Sequence, residues 1–220
     1  MSILPATLLV VAKAPVPGRA KTRLAAAVGD RVAAEISAAS LLDTLDAVAA
    51  APVAARVAAF TGELDGAVGA AEIGRRLASF TVIIQRGNDF ADRLANAHAD
   101  AADGRPVLQI GMDTPQVTAE LLTVCARQLA DAPAVLGLAA DGGWWAFGVR
   151  TPANAECLRA VPMSTTDTGT LTLKALQRNG VGVRLVEELA DFDVVDDIAA
   201  VREACHPTSW FARVTRAAGI

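Results

Sequence analysis

Between Lys13 and Leu24 the sequence reads Lys-Ala-Pro-Val-Pro-Gly-Arg-Ala-Lys-Thr-Arg-Leu, four cations and a glycine directly after the apolar run 7–12. A buried strand that ends in a cationic loop and hands over to a helix gathers backbone N–H groups, Lys13, Lys21 and Arg23 around one spot, a setting that suits phosphate. Cations at a helix start also occur as plain solvated residues, but there they oppose the macrodipole, and a bound anion removes the conflict. The segment is not a Walker A loop, since Ala20 precedes Lys21 and 14–17 carry no glycine. No Gly-x-Gly-x-x-Gly dinucleotide fingerprint follows the first apolar run either.

Carboxylates occur where such a phosphate would need a counter-ion. Gly111-Met-Asp-Thr-Pro115 places Asp113 just past the apolar run 106–110, at the edge where open α/β sheets bind ligands. The same tripeptide also begins turns, and Thr118 suits a helix cap. Further on, Asp191 and Asp193 alternate around Phe192 and so share one side of an extended segment. One of them, in our reading Asp193, joins Asp113 on Mg²⁺ or Mn²⁺, because a hard cation bound to phosphate needs only one or two protein carboxylates. Asp196 and Asp197 fit the first turn of a following helix. Asp141-Gly-Gly-Trp-Trp145 pairs a hydroxyl-accepting carboxylate with two glycines and two amphipathic rings, as sugar and base sites do, although a Gly-Gly hairpin with one core Trp reads the same way. Strand alternation sends Trp144 and Trp145 to opposite faces, so at most one lines a site. Gln85-Arg-Gly87 leaves a strand and Arg93 lies just inside the next helical pattern, offering base or phosphate contacts that solvated loop residues would resemble.

Seven Val/Ile/Leu-rich runs, at 7–12, 53–60, 81–85, 106–110, 133–138, 144–149 and 181–186, must position these groups. They are short and nearly continuous, as strands covered on both faces are. Helical patterns span Asp30–Ala51, Asp89–Ala102, Thr118–Ala130, Thr168–Asn179 and Val195–Ala204, and a last short helix follows Pro207. The alternation predicts an α/β fold, a single domain over 1–220 with a mainly parallel sheet and helices on both faces. Between the runs at 133–138 and 144–149 there is no room for a crossover helix, so those strands should be antiparallel and the sheet mixed.

Composition narrows the classes further. Hydrophobic residues make up 53% of the 220, with only 4% aromatics and no Tyr, which marks an Ala- and Val-rich α/β chain with no run long enough to span a membrane. Lys13 breaks the N-terminal apolar run too early for a signal peptide, so a cytoplasmic location is expected. A net charge of −4 excludes broad capture of nucleic acid. Cys125, Cys157 and Cys205 are odd in number and widely spaced, which argues for core thiols and against a disulfide framework or a zinc site. Charge is segregated: 13–31 is strongly basic, whereas 187–197 holds six carboxylates and no cation. Brought together, the two segments would hold a polyphosphate with a divalent metal.

In this order the motifs resemble the nucleotide-diphospho-sugar transferase superfamily of GT-A fold. Within it they are similar to the bacterial glycosyltransferase-A-like family DUF2064, which is related to molybdenum-cofactor and phospholactate guanylyltransferases. The resemblance implies that Lys13, Pro15, Gly18, Lys21 and Arg23, entered from Ala12, form the first nucleotide-binding loop, and that Gln85 and Gly87 make a second contact, beside which Arg93 is the further candidate read from the residues. It also implies that Asp113 lies on the metal-bearing turn, that Gly142, Gly143 and Trp144 belong to the Asp-Gly-Gly-aromatic motif with Asp141, and that Asp193 ends the late acidic turn. Lys21, Asp113 and Asp141 are then the catalytic candidates and Asp113 with Asp193 the metal ligands. The chain departs from the family pattern at Gly137-Leu-Ala, usually Gly-Pro-Ala, at Trp144-Trp145, usually Tyr-Tyr, and at Val194, usually Thr.

The implied activity is metal-dependent glycosyl transfer from a nucleotide-diphospho-sugar to a small-molecule acceptor. The alternative is nucleotidyl transfer from an NTP to a phosphorylated or carboxylated acceptor with release of pyrophosphate. A non-catalytic nucleotide-binding module is a third reading.

Overall fold

Each of the seven apolar runs forms a strand. The computed structural model describes residues 2–220. In chain order the elements are β1 Leu4–Lys13, α1 Thr22–Val28, α2 Asp30–Ala50, β2 Val53–Thr61, α3 Ala70–Leu77, β3 Thr81–Ile84, α4 Phe90–Ala101, β4 Val107–Ile110, α5 Ala119–Asp131, β5 Ala134–Ala139, β6 Trp144–Val149, a 3₁₀ helix Pro152–Ala160, α6 Thr168–Arg178, β7 Val183–Leu189, α7 Asp197–Ala204 and α8 Trp210–Ala217.

The strands make one sheet in the order β3-β2-β1-β4-β6-β5-β7. Only β6 runs against its neighbours, pairing antiparallel with both β4 and β5, while every other pairing is parallel. The mixed sheet follows from the four-residue connection 140–143, which can close a hairpin but not a crossover. From β1 the chain winds outward to β2 and β3, then returns to place β4 on the other side of β1. The carboxyl ends of β1 and β4 therefore flank the point where winding reverses, the place where open α/β sheets leave a crevice for ligands.

Strand alternation divides the apolar residues between two cores. Leu8, Val10, Leu108, Ile110 and Trp145 meet Leu41 and Leu45 of α2 and Leu122 of α5 on one face. Leu9, Val57, Leu136 and Phe147 meet Leu94 of α4, Leu158 of the 3₁₀ helix and Leu176 of α6 on the other. Trp144 and Trp145 part as alternation requires, Trp145 into the first core and Trp144 against the second. A third cluster lies off the sheet and joins Leu24, Ile36, Phe192, Ile198, Val201 and Phe211.

Helix ends follow local chemistry. Asp89 caps α4 by accepting from Asp92 N at 2.8 Å, Thr118 caps α5 by accepting from Leu121 N at 3.1 Å, and Ser209 caps α8 through Ala212 N at 3.1 Å. The structure departs from expectation at the sheet edges. β3 exposes Val82 and Ile84, and β7 starts at Val183, after Gly180 and Gly182, with half-buried and exposed residues and none fully buried. An edge strand has only one neighbour and is incompletely covered, so its apolar residues need not be buried. α1 is the helix to which the cationic loop was expected to hand over, whereas α3 and the 3₁₀ helix were not expected, because two or three buried apolar residues in each make no periodic stripe. No helix among the described residues is long and apolar enough to cross a membrane.

Candidate functional site

The first loop folds back on itself before it becomes α1. Val16 N–H reaches the Ala14 carbonyl at 2.8 Å, and both Arg19 and Ala20 N–H groups turn onto the Val16 carbonyl at 3.0 and 3.1 Å. Gly18 sits at φ +75°, with Asp30 so near that an added Cβ would lie 3.3 Å from its Oδ2. Pro15 is buried and its carbonyl accepts from Val68 N at 3.0 Å. Lys21 precedes α1 in the left-handed region at φ 46°, ψ 52°, a conformation that a long side chain adopts only when its surroundings hold it there.

Those surroundings are acidic. Lys21 Nζ lies 3.1 Å from Asp113 Oδ1 and 3.6 Å from Asp193 Oδ1, and it donates to the Phe192 carbonyl. It also stands 4.4 Å above the Phe192 ring, and its side chain is only 10% exposed against about 40% for either carboxylate. Arg23 reaches the far side of Asp193, Nη1 to Oδ2 2.6 Å. The basic and acidic segments of the sequence thus meet, with Lys21 and Arg23 facing Asp113 and Asp193 and not yet an anion. Lys13 does not join them: it closes β1 with its N–H against Met112 sulfur at 3.3 Å, while its side chain is exposed and forms no ion pair among the described residues.

Two straps hold the Asp113 turn against the late acidic turn. Phe192 N–H donates to the Asp113 carbonyl at 3.3 Å, and Gln116 Nε2 donates to the Ala190 carbonyl. From below, the buried Ser40 hydroxyl of α2 donates to the Met112 carbonyl. Asp197 Oδ2 accepts from both Asp193 and Val194 N–H at 2.8 and 2.9 Å. That bond pair fixes the turn, so Asp197 does more than favour the helix dipole.

Asp191 is the participant that sequence reasoning left out of the site. Its pKa is pushed up to about 6, first by burial and then by the Asp141 and Asp113 charges, with Lys21 pulling the other way. Its alternation with Asp193 was the signal available. Asp113, Asp141, Asp191 and Asp193 therefore influence one region that holds two cations, an excess of two carboxylates over positive groups. Among the described residues no three His, Cys, Asp or Glu side chains are gathered as a ready metal cage. Two carboxylates converging on one ammonium fit a hard divalent ion that completes its sphere with water and phosphate oxygens, as Mg²⁺ and Mn²⁺ do.

The remaining candidates surround this crevice. Asp141 is exposed and accepts from Gly143 N at 2.7 Å. Gly142 has φ +90°, and a Cβ there would lie 1.9 Å from the Thr166 carbonyl oxygen, so the hairpin tip and the approach to α6 tolerate no side chain between them. Gly169 N–H closes the contact on the Gly142 carbonyl at 2.8 Å. The half-buried Trp144 tilts on Phe147 at 5.5 Å, with its buried Nε1 unpartnered, while Trp145 Nε1 donates to the Glu187 carbonyl at 2.8 Å. A Cβ on Gly137 would lie 2.4 Å from Trp145 Nε1, which accounts for glycine on β5 beside that ring. Gln85 reaches the ends of β1 and β2, Nε2 donating to the carbonyls of Ala12 and Ala59 at 2.9 and 2.8 Å. Gly87 packs so tightly on the start of α4 that a Cβ would lie 2.7 Å from Asp92 Cβ, and the half-buried Arg93 keeps its Nε buried without a partner.

Comparison with known proteins agrees with this layout. The family model described as "Uncharacterized protein conserved in bacteria (DUF2064)" matches residues 44–165, more than half of the chain and inclusive of the Gln85, Asp113 and Asp141 segments. Among solved structures, a proposed nucleotide-diphospho-sugar transferase from Desulfovibrio desulfuricans G20 is similar at a TM-score of 0.84 and 24% identity, over 99% of this chain and 95% of its own. Rv0371c from Mycobacterium tuberculosis, solved with manganese, is similar at a TM-score of 0.54 and 20% identity, over 90% and 97%. CMP:2-keto-3-deoxy-manno-octonic acid synthetase, solved with CTP, is similar at 0.56 and 12% identity, over 90% and 97%. No curated protein matches the sequence. The mixed α/β fold is that of the nucleotide-diphospho-sugar transferases.

Proposed function

This chain belongs to the DUF2064 family, and from that premise we propose that residues 1–220 form one transferase unit for a nucleotide-activated substrate. The reaction is metal-dependent glycosyl transfer from a nucleotide-diphospho-sugar to a small-molecule acceptor. The observation that carries this reading is the convergence of Asp113 and Asp193 on Lys21 at the reversal of strand order, beside a loop of further cations.

In this mechanism Asp113 and Asp193 would hold Mg²⁺ or Mn²⁺, and the ion would supply neutralisation of charge on the nucleoside-diphosphate leaving group. Arg23, the first-loop amides and Lys21 bind the phosphates, with Lys21 exchanging a carboxylate contact for a phosphate one. Asp141 accepts hydrogen bonds from hydroxyls of the sugar or acceptor, and the half-buried Trp144 offers the exposed part of its ring.

Nucleotidyl transfer from an NTP uses the same groups, with Lys21 on the β- and γ-phosphates, and the CTP complex of one structural relative favours keeping it as the second reading. Calorimetry separates the two when nucleotide-sugars and NTPs are titrated with and without Mn²⁺. Binding and turnover of a nucleotide-sugar support glycosyl transfer, whereas NTP consumption with pyrophosphate release shifts the assignment to nucleotidyl transfer. Tight binding without turnover of either would mark a binding module. Asp113→Ala is expected to cut metal-dependent nucleotide affinity at least tenfold with an unchanged circular dichroism spectrum; unchanged affinity would remove Asp113 from the site.

A further inference from the structure

Resting on the transferase reading above, we infer that Ser40 is a positioning residue for Asp113: a hydroxyl buried in α2 sets the backbone from which that carboxylate projects toward the metal. A serine or threonine inside a helix has the carbonyl four residues back within reach of its hydroxyl. Thr44, Thr123, Thr172 and Thr215, all buried within helices, donate to that carbonyl at 2.9, 2.6, 2.8 and 2.8 Å. Ser40 is wholly buried and does otherwise. Its hydroxyl leaves the helix and donates to the Met112 carbonyl.

That carbonyl has no other donor among the described residues. The pairing of β4 with β1 and β6 ends at Ile110, so Met112 lies beyond the ladder. Its side chain is tied as well, the sulfur accepting from Lys13 N at 3.3 Å. On the far side of Asp113, the Asp113 carbonyl accepts from Phe192 N at 3.3 Å. The two peptide groups that flank Asp113 are therefore held from different directions, one by α2 and one by the late acidic turn. Peptide groups are planar and leave only φ and ψ between them, so these two bonds together set the direction of the Asp113 Cα–Cβ bond.

Little else steadies the carboxylate. It is 40% exposed, and its ion pair is with Lys21, 3.1 Å away. In the proposed reaction Lys21 turns to phosphate, and Asp113 then keeps its place through its backbone. Alanine at position 40 would leave the Met112 carbonyl a buried acceptor without a donor. The peptide then rotates to find one, and Asp113 moves with it. Removing a group that orients a metal-holding side chain from behind typically weakens metal affinity by about 10- to 100-fold.

The test compares, by calorimetry, the binding of ADP, CDP, GDP and UDP to the intact chain in Mn²⁺ and in EDTA, and carries the tightest forward. Ser40→Ala should bind it about tenfold less tightly than the parent in Mn²⁺ and equally well in EDTA, because the first loop meets phosphate without the ion. Ser40→Cys keeps a weaker donor and should fall between the two in Mn²⁺; if the alanine variant does not fold, the cysteine variant decides by the same comparison. Thr44→Val removes a buried hydroxyl one turn along α2 whose bond stays within the helix. Urea denaturation should show that variant less stable, with its Mn²⁺-dependent affinity intact. Parental affinity of Ser40→Ala in Mn²⁺, an equal loss in Mn²⁺ and EDTA, or the same loss in Thr44→Val overturns the role of Ser40 and leaves the transferase reading standing. A parent chain that binds no nucleotide more tightly in Mn²⁺ than in EDTA overturns the metal-dependent reading and this role together.

Discussion

His98 lies wholly inside the α4 face of the sheet, edge-on to Phe147 at 5.1 Å, with neither ring nitrogen partnered. Burial lowers its pKa to about 3. An unfolded chain takes up a proton at this position below about pH 6.5, whereas the folded chain refuses it until about pH 3, so the contribution to stability is complete above pH 6.5 and declines as pH falls. Asp191 works in the opposite sense between about pH 4 and 6, since its folded pKa is raised. Comparing one variant with the parent cancels that second effect. His98→Phe keeps an aromatic ring against Phe147, and urea denaturation should show its stability advantage growing by about 2 kcal/mol between pH 7.5 and pH 5. An advantage independent of pH would mean that His98 is not held neutral. No sequence pattern announced this: a histidine within a helical stretch reads equally as exposed or buried until the element that covers it is known.

At the scale of elements, the site is a meeting of turns. Loop 13–24, the Asp113 turn and the 191–193 turn come from distant parts of the chain, and Lys21 is the side chain that touches all three contact points at Asp113, Phe192 and Asp193. Removing its charge leaves two half-exposed carboxylates facing each other. Lys21→Met should therefore lose about 1 to 2 kcal/mol in the presence of a chelator, the partial exposure of the carboxylates limiting the cost. Mn²⁺ should then raise the melting temperature of Lys21→Met by more than that of the parent, in which ion and ammonium compete for the same oxygens. Equal shifts would show that they do not compete. The motif residues themselves were readable, because a carboxylate or a cation just past a β-strand is visible in the chain. Their pairing was not, because ion pairs such as Lys21–Asp113 and Lys21–Asp193, between residues far apart in the chain, depend on how the strands are ordered.

Over the whole molecule, the sheet carries two cores and the site is braced by the third. Phe211 of α8 stacks at 4.9 Å on Phe192, and Asp43 of α2 holds the start of α8 by accepting from Trp210 and Phe211 N–H at 2.9 and 2.8 Å. The last helix thus supports the turn whose carbonyl receives Lys21. Phe211→Ala should destabilise the chain by about 3 to 5 kcal/mol, and at temperatures where it remains folded it should weaken Mn²⁺-dependent nucleotide binding, as read by calorimetry. Full affinity in the folded variant would show that α8 stabilises without bracing the site. The sequence by itself determined the seven strands, the helices α2 and α4 to α8, the hairpin at Asp141–Gly143 and the opposite facing of Trp144 and Trp145, all matters of local periodicity and turn chemistry. Tertiary structure alone decided that Lys21 rests between Asp113 and Asp193, that Asp191 joins them at a raised pKa, that the Gln85 amide is pinned across two strands, and that Lys13 stays outside. Those outcomes depend on strand order and on burial, which are set by long-range packing; the spacing of neighbouring residues gave only the alternation of Asp191 with Asp193.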